Sequence, residues 1–190
     1  MARKRFDDMN CGVAQALEAL GDWWTLLIVR DAFFGARRFG EFERSLGIAK
    51  NILSARLQHL VEHGIFERID AGTLGERFEY QLTQKGEALL TVLTALREWS
   101  DEWVFGRGHE PLILEDRRTG RRIPRLRVTD GEGRPLKFGD LRAVPGPGAS
   151  TQTKQHLRRA PSRKRTSTRS TSSTSTQSTS STSRASRRGN

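Results

Sequence analysis

Apolar residues recur at helical spacing through Val13–Leu20 and again through Trp23–Phe34, with Gly21-Asp22 between the two runs. Asp22 stands where a carboxylate can accept from the unpaired N–H groups of a helix start, so it is the expected N-cap of the second helix. Gly35 is expected to end that helix. Phe39, Phe42 and Leu46 form a third stripe, and Leu53, Leu57, Leu60 and Val61 a fourth that Gly64 closes. The period then drops from 3.6 to 2. Phe78, Tyr80 and Leu82 alternate with Arg77, Glu79 and Gln81, which predicts a strand with one apolar and one wet face. Ile65–Asp70 supplies its partner across a connection containing Gly72 and Gly75. Thr83 can cap a final long helix reaching about Phe105, although Glu87 falls one position too late for a capping box. Leu89, Val92, Leu93, Leu96, Trp99 and Trp103 share one side of it.

This order predicts a mainly α fold with a β-wing: a winged helix-turn-helix domain over residues 11–106, preceded by an N-terminal arm, 1–10. Two helices, a tight turn and a two-stranded wing are how a small domain presents one helix to the DNA major groove. With Leu53, Leu57 and Leu60 buried, the segment Ala49–His63 keeps Lys50, Asn51, Ser54, Ala55 and Gln58 on its other side, and Arg56 at the flank. Those side chains can hydrogen-bond base edges or phosphates, and Ala55 permits close approach. Arg37 and Arg38 precede the third helix, where phosphates would pass. Arg68 and Arg77 flank the wing, within reach of the adjacent backbone or minor groove. The competing reading of all these charges is an ordinary solvated face on an amphipathic bundle.

Composition changes along the chain. Ten of the 33 Lys/Arg and none of the 22 Asp/Glu lie in residues 150–190, so the first 149 residues carry 23 basic against 22 acidic side chains. The net charge of +11 therefore belongs almost wholly to the tail and is not by itself an argument for nucleic acid. That Ser/Thr/Arg-rich tail has little to bury and is expected to stay disordered. Its expected role is nonspecific tracking of phosphates or none. Between domain and tail, residues 107–149 read as a small β-rich, hairpin-like appendage. Leu112-Ile113-Leu114, Ile123–Val128 and Leu136–Phe138 are its short strands, Asp130-Gly131-Glu132-Gly133 is a turn, and Arg117, Arg118, Arg121, Arg122, Arg125 and Arg127 make it basic.

A single cysteine, Cys11, leaves no internal disulfide framework and no multi-thiolate zinc site. Met1-Ala2-Arg3-Lys4-Arg5 is followed by Phe6-Asp7-Asp8 where a signal peptide would need an apolar run. Leu26–Val29 stops at Arg30, far short of a membrane span. The expected setting is cytoplasmic, away from membranes. His59, His63, His109 and His156 have no ligand spacing, and no nucleophile elbow, P-loop or dinucleotide fingerprint occurs. No enzyme, cofactor or metal is expected.

Cys11, the run Gly21-Asp22-Trp23-Trp24-Thr25-Leu26-Leu27-Ile28, Gly35 with Arg38-Phe39, Leu53 with Arg56-Leu57, and Tyr80-Gln81-Leu82-Thr83 with Gly86 occur in an order that resembles the HxlR-type winged-helix regulators. These are related in architecture to the MarR family. The resemblance covers about residues 10–105 and implies a homodimeric regulator, by default a repressor, that binds a double-stranded operator without catalysis. It places the dimer surface on the last helix, at Leu89, Val92, Leu96, Trp99 and Trp103, helped by the N-terminal helix; completion of the monomer core is the alternative use of both tryptophans. It also makes Cys11 a candidate sensor of oxidants or electrophiles, against the plainer reading of a small buried residue. The effector, whether small molecule or oxidant, is not specified.

Three features depart from that family pattern. Gly12 stands where members typically have proline, and Ala49 where many have serine. The missing cap would cost on the order of 1 kcal/mol unless Asn51 takes over by starting the helix later. The appendage has no cysteine to match the zinc knuckle of some relatives. The rival function is a winged-helix RNA-binding or protein-interaction module without operator specificity; exposed aromatics for base stacking would favour RNA.

Overall fold

Local chemistry sets the helix starts. In the computed structural model, which describes residues 6, 8–72 and 78–159, α1 spans Gly12–Leu20 and α2 spans Trp23–Phe33. Asp22 caps α2 as its position in the sequence predicts, its carboxylate accepting from the Trp24 N–H at 3.1 Å. The buried Thr25 hydroxyl ties back to the Leu20 and Asp22 carbonyls, fixing the α1–α2 corner. Helix α3 (Phe39–Leu46) begins where Glu41 folds back to accept from the Arg37 and Arg38 N–H groups at 2.7 and 3.0 Å. Gly47, in the left-handed region at φ 60°, turns the chain into α4, Lys50–Glu62.

Ile28 and Val29 of α2, Phe42 of α3, and Leu53, Leu57 and Leu60 of α4 are fully buried together with Ile65 and Phe66. Strands β1 (Phe66–Asp70) and β2 (Phe78–Leu82) pair antiparallel, Phe66 opposite Leu82 and Asp70 opposite Phe78. The Phe42, Phe66 and Tyr80 rings meet edge-on at centroid distances of 6.3 to 6.5 Å, clamping the wing to α3. The far edge of β2 is not simply wet. Tyr80 N–H donates to the Arg37 carbonyl at 2.8 Å, and Arg38 bridges to Glu79, so residues 37–38 act as a third strand fragment.

Thr83 is a double fastener. Its hydroxyl donates to the Gly64 carbonyl at 2.6 Å and accepts from the Gly86 N–H at 3.2 Å, capping the short α5, Gln84–Glu87. Helix α6, Leu89–Ser100, follows and runs into one π-helical turn, Asp101–Phe105.

Beyond Gly106 the sequence-based expectation needs two corrections. The appendage contains no regular strands; it has two tight turns with isolated bridges, Glu115 to Arg122 and Thr129 to Pro135, and a 3-10 turn over Phe138–Asp140. Its apolar triplets are too short, and too little covered, to propagate a ladder. The Asp130 turn does form, with Asp130 accepting from the Glu132 and Arg134 N–H groups. The tail does not begin as irregular chain: Thr151–Arg159 form helix α7, and the Ser150 N–H and the Thr153 hydroxyl donate to the Asn10 side-chain oxygen at 2.8 and 2.9 Å. Residues 160–190 of the expected disordered tail lie outside the described residues.

Candidate nucleic-acid interface

Helix α4 is amphipathic by its sequence, and its burial follows. Leu53, Leu57 and Leu60 face the core, while Lys50, Asn51, Ser54, Ala55 and Gln58 are exposed. Gln58 donates to Glu62 at 2.9 Å, and Lys50 lies 3.8 Å from Glu43, a loose pair. The Asn51 and Ser54 side chains have no partner among the described residues. The helix starts at Lys50 with Ala49 as an N-cap that offers no side-chain acceptor, so Asn51 does not replace the absent serine by a later start. The Lys50 and Asn51 N–H groups are consequently left unpaired among the described residues, pointing beyond the positive end of the helix dipole. Ile52 is also exposed, a residue that sequence reasoning passed over. Its signal was available: it is apolar yet lies about a quarter-turn off the Leu53/Leu57/Leu60 stripe, where it can meet a thymine methyl.

The arginines divide. Arg56, expected at the flank of the reading face, instead bonds the Asp22 carboxylate at 2.7 Å and is two-thirds covered. Its Nε is buried, so it braces α4 against the start of α2 and is not free to meet DNA. The competition is one of geometry: a long flexible cation near the helix midpoint finds the N-cap carboxylate before it finds solvent. Arg38 pairs with Glu79 at 3.1 Å but stays exposed. Arg37 is exposed with no ion pair among the described residues. Arg68 lies over the Phe78 ring at 4.2 Å, which aims its guanidinium along the wing. Arg77 falls outside the described residues.

The last helix carries a second surface. Val92, Leu96, Trp99 and Trp103 are exposed, the two tryptophans at 61% and 71%. Leu89 departs from the expected set: together with Leu93 it packs against the core. A helix that must cover α2 with one side and expose the other splits its apolar residues between them. Val13 and Leu17, four apart on α1, add to the exposed apolar surface, as do Val104 and Phe105. The tryptophans are therefore not consumed by the monomer core. Cys11 is exposed rather than buried, immediately ahead of α1, and lines an open cavity of about 530 Å³ with Asn10, Gln15, Gly148 and Thr153. No group of three His, Cys, Asp or Glu side chains among the described residues is placed to hold a metal. Nor is any helix among them long and apolar enough to cross a membrane.

With this geometry in hand, known proteins offer a consistent comparison. The HxlR-like helix-turn-helix family matches residues 19–107. An uncharacterised HTH-type transcriptional regulator of Mycobacterium tuberculosis is 42% identical over 145 residues, which are 76% of this chain and 90% of that relative. The crystal structure of PA1607, assigned as a candidate transcription factor, superposes with a TM-score of 0.69 at 45% identity and covers 75% of this chain and all of that one. PA1374 of Pseudomonas aeruginosa, likewise assigned, gives 0.55 at 37% identity over 77% of this chain and 99% of its own. The Mycobacterium match is much longer than the 19–107 segment and so runs well into the appendage.

Proposed function

Because the chain belongs to the HxlR-like helix-turn-helix family of transcriptional regulators, DNA-binding proteins rather than enzymes, we propose that it acts as a homodimeric repressor in the cytoplasm. Its operator is read through the outward side of α4. The observation that carries this reading is the exposed face of Asn51, Ser54 and Ala55 beside an unpaired helix N-terminus. Asn51, Ser54, Ala55 and Gln58 are its base-reading set, with Ile52 against methyl groups. Lys50, Arg37, Arg38 and Arg68 serve as phosphate contacts that fix register, and Arg77, outside the described residues, joins them by its position in the sequence immediately before β2. Two such helices about one duplex turn apart, roughly 34 Å, require a dimer. The exposed Val92, Leu96, Trp99 and Trp103 supply its apolar surface, with Val13 and Leu17.

Binding of the purified protein to its own upstream DNA, against unrelated duplex at fixed salt, tests this. Asn51→Ala with Ser54→Ala should lower specific affinity by roughly 10-fold or more, since each good base contact is worth about 1–3 kcal/mol. Nonspecific binding should hardly change. A ratio near one for the unaltered protein would return the question to the RNA-binding or protein-interaction reading.

The exposure of Cys11 favours a second layer, in which its thiol senses an oxidant or electrophile ahead of α1. Diamide should then weaken or strengthen operator binding in a way dithiothreitol reverses, and Cys11→Ser should abolish the response. An undiminished response in Cys11→Ser removes the cysteine from the mechanism.

A further inference from the structure

Residues 107–149 fold without a core. None of them is buried, and only Leu114, Ile123 and Leu136 among their larger aliphatic side chains are partly covered. The segment is nonetheless shaped. Ile123 N–H donates to the Leu114 carbonyl at 3.0 Å, Leu136 N–H to the Val128 carbonyl at 2.8 Å, and Asp130 N–H to the Arg134 carbonyl at 3.0 Å. Ordering each residue costs about 1–2 kcal/mol of backbone entropy, which two tight turns do not return. A segment of this kind holds one shape only against a surface.

Its anchors say which surface. Near its middle the Leu126 N–H donates to Glu98 of α6 at 2.9 Å, and Arg125 bonds Glu102 of the π-helical turn at 2.6 Å. Arg107 and Arg125 together hold the Glu102 carboxyl below its usual range. At its far end the chain returns to Asn10, just ahead of α1. The segment is thus tied to α6, to its π-helical turn and to the residue just ahead of α1, beside the exposed apolar residues Val13 and Leu17 of α1, Leu96 and Trp99 of α6, and Trp103 of the turn. It does not cover them: those side chains stay exposed, and so do its own Val128, Phe138, Leu141 and Val144, Phe138 at 82%. Soluble monomers seldom leave contiguous apolar patches beyond a few hundred Å².

We propose that residues 107–149 form an arm that closes over a second copy of this chain, laying Phe138 and its apolar neighbours on that copy's α1 and α6. The proposal rests on the dimeric reading above and extends its interface from one helix pair to a reciprocal clasp. Two-fold symmetry makes each arm–helix contact occur twice, doubling the area it covers. The matches to relatives run over nearly their whole length and so take in much of this segment. A duplex as occupant would satisfy Arg117, Arg121 and Arg127 but would leave the apolar side chains in water.

The test replaces Phe138 in the full chain with photoreactive benzoylphenylalanine and irradiates with and without added duplex DNA, alongside sedimentation equilibrium of the double variant Val128→Asp, Phe138→Asp. The clasp predicts a cross-linked dimer whose joined peptides come from α1 or α6 of the other copy. It also predicts a dimer Kd raised at least tenfold at unchanged helix content. Cross-links confined to one chain, cross-links that appear only on added duplex, or an unchanged dimer Kd overturn it while leaving the α6-centred dimer standing. A monomer at micromolar concentration for the unaltered protein overturns the dimeric reading itself.

Discussion

Replacing Gly86 with alanine sets two physical effects against each other, and the structure says which wins. Gly86 sits in α5, buried, where helix propensity favours alanine by about 1 kcal/mol. A Cβ at this position would lie 2.2 Å from the Ile65 carbonyl oxygen and 2.9 Å from Leu82 Cδ2. That oxygen cannot yield freely, because it accepts from the Thr83 N–H at 3.1 Å. Ordinary carbon–oxygen contact therefore requires α5 to move away from Ile65, just ahead of β1, by on the order of 1 Å. Overpacking of this kind costs about 1–3 kcal/mol, and losing one hydrogen bond of the Thr83 fastener adds about 1 kcal/mol. The expected net destabilisation is about 2 kcal/mol, or roughly 4–8 °C in Tm for a chain of this size. Urea and thermal unfolding followed by circular dichroism read it directly. Gly12→Ala is the control, since its Cβ meets nothing within 4 Å, and it should match or slightly exceed the parent in stability. A Gly86→Ala protein as stable as the parent would refute the close approach of α5 to the wing. Because α6 follows α5 directly, the same variant should also weaken dimerisation.

Arg56→Met should lower stability by about 1 kcal/mol through loss of the largely covered Asp22 pair, while the ratio of operator to nonspecific binding stays within about twofold; a collapse of that ratio at unchanged stability would make Arg56 a base contact instead. Glu41 is held below its usual pKa chiefly by the Arg37 and then the Arg38 N–H bonds. Its folded value lies below the unfolded 4.5, so its stabilisation is complete above that pH and is lost as pH falls through the folded value. Glu41→Gln should therefore flatten the fall of Tm with pH below about 4.5, and an unchanged slope would show the turn does not depend on that carboxylate.

The period of the apolar residues already carried the helices and the wing. Asp22, Thr83 and the Leu53/Leu57/Leu60 stripe do in the structure what their positions in the sequence predict, because caps and amphipathic faces are decided within a few residues of chain. The same is true of the α4 surface: once its buried side is known, Asn51, Ser54 and Ala55 have nowhere to point but outward. Where the outcome depended on what lies across the fold, sequence reasoning failed in identifiable ways. Arg56 is a brace because the α2 N-cap happens to stand 2.7 Å away. Leu89 turns inward and Leu96 outward because α6 must cover the core with one side only. Residues 37–38 add an edge to β2, which no periodicity of two residues could announce.

The appendage marks the boundary most clearly. Its turn at Asp130 was legible, since Asx chemistry is local, but its expected strands were not realised. A strand needs a neighbour along its whole length, and residues 107–149 have only short ones. Likewise α7 forms where composition alone predicts irregular chain, with Asn10, some 140 positions earlier, supplying hydrogen bonds at its start. What the sequence by itself determined are the interactions closed within a turn or two of backbone: caps, faces and hairpin alternation. What only the tertiary structure decided are the partners of long charged side chains and the division of apolar residues between core and surface. Those depend on distances between segments that chain order does not encode.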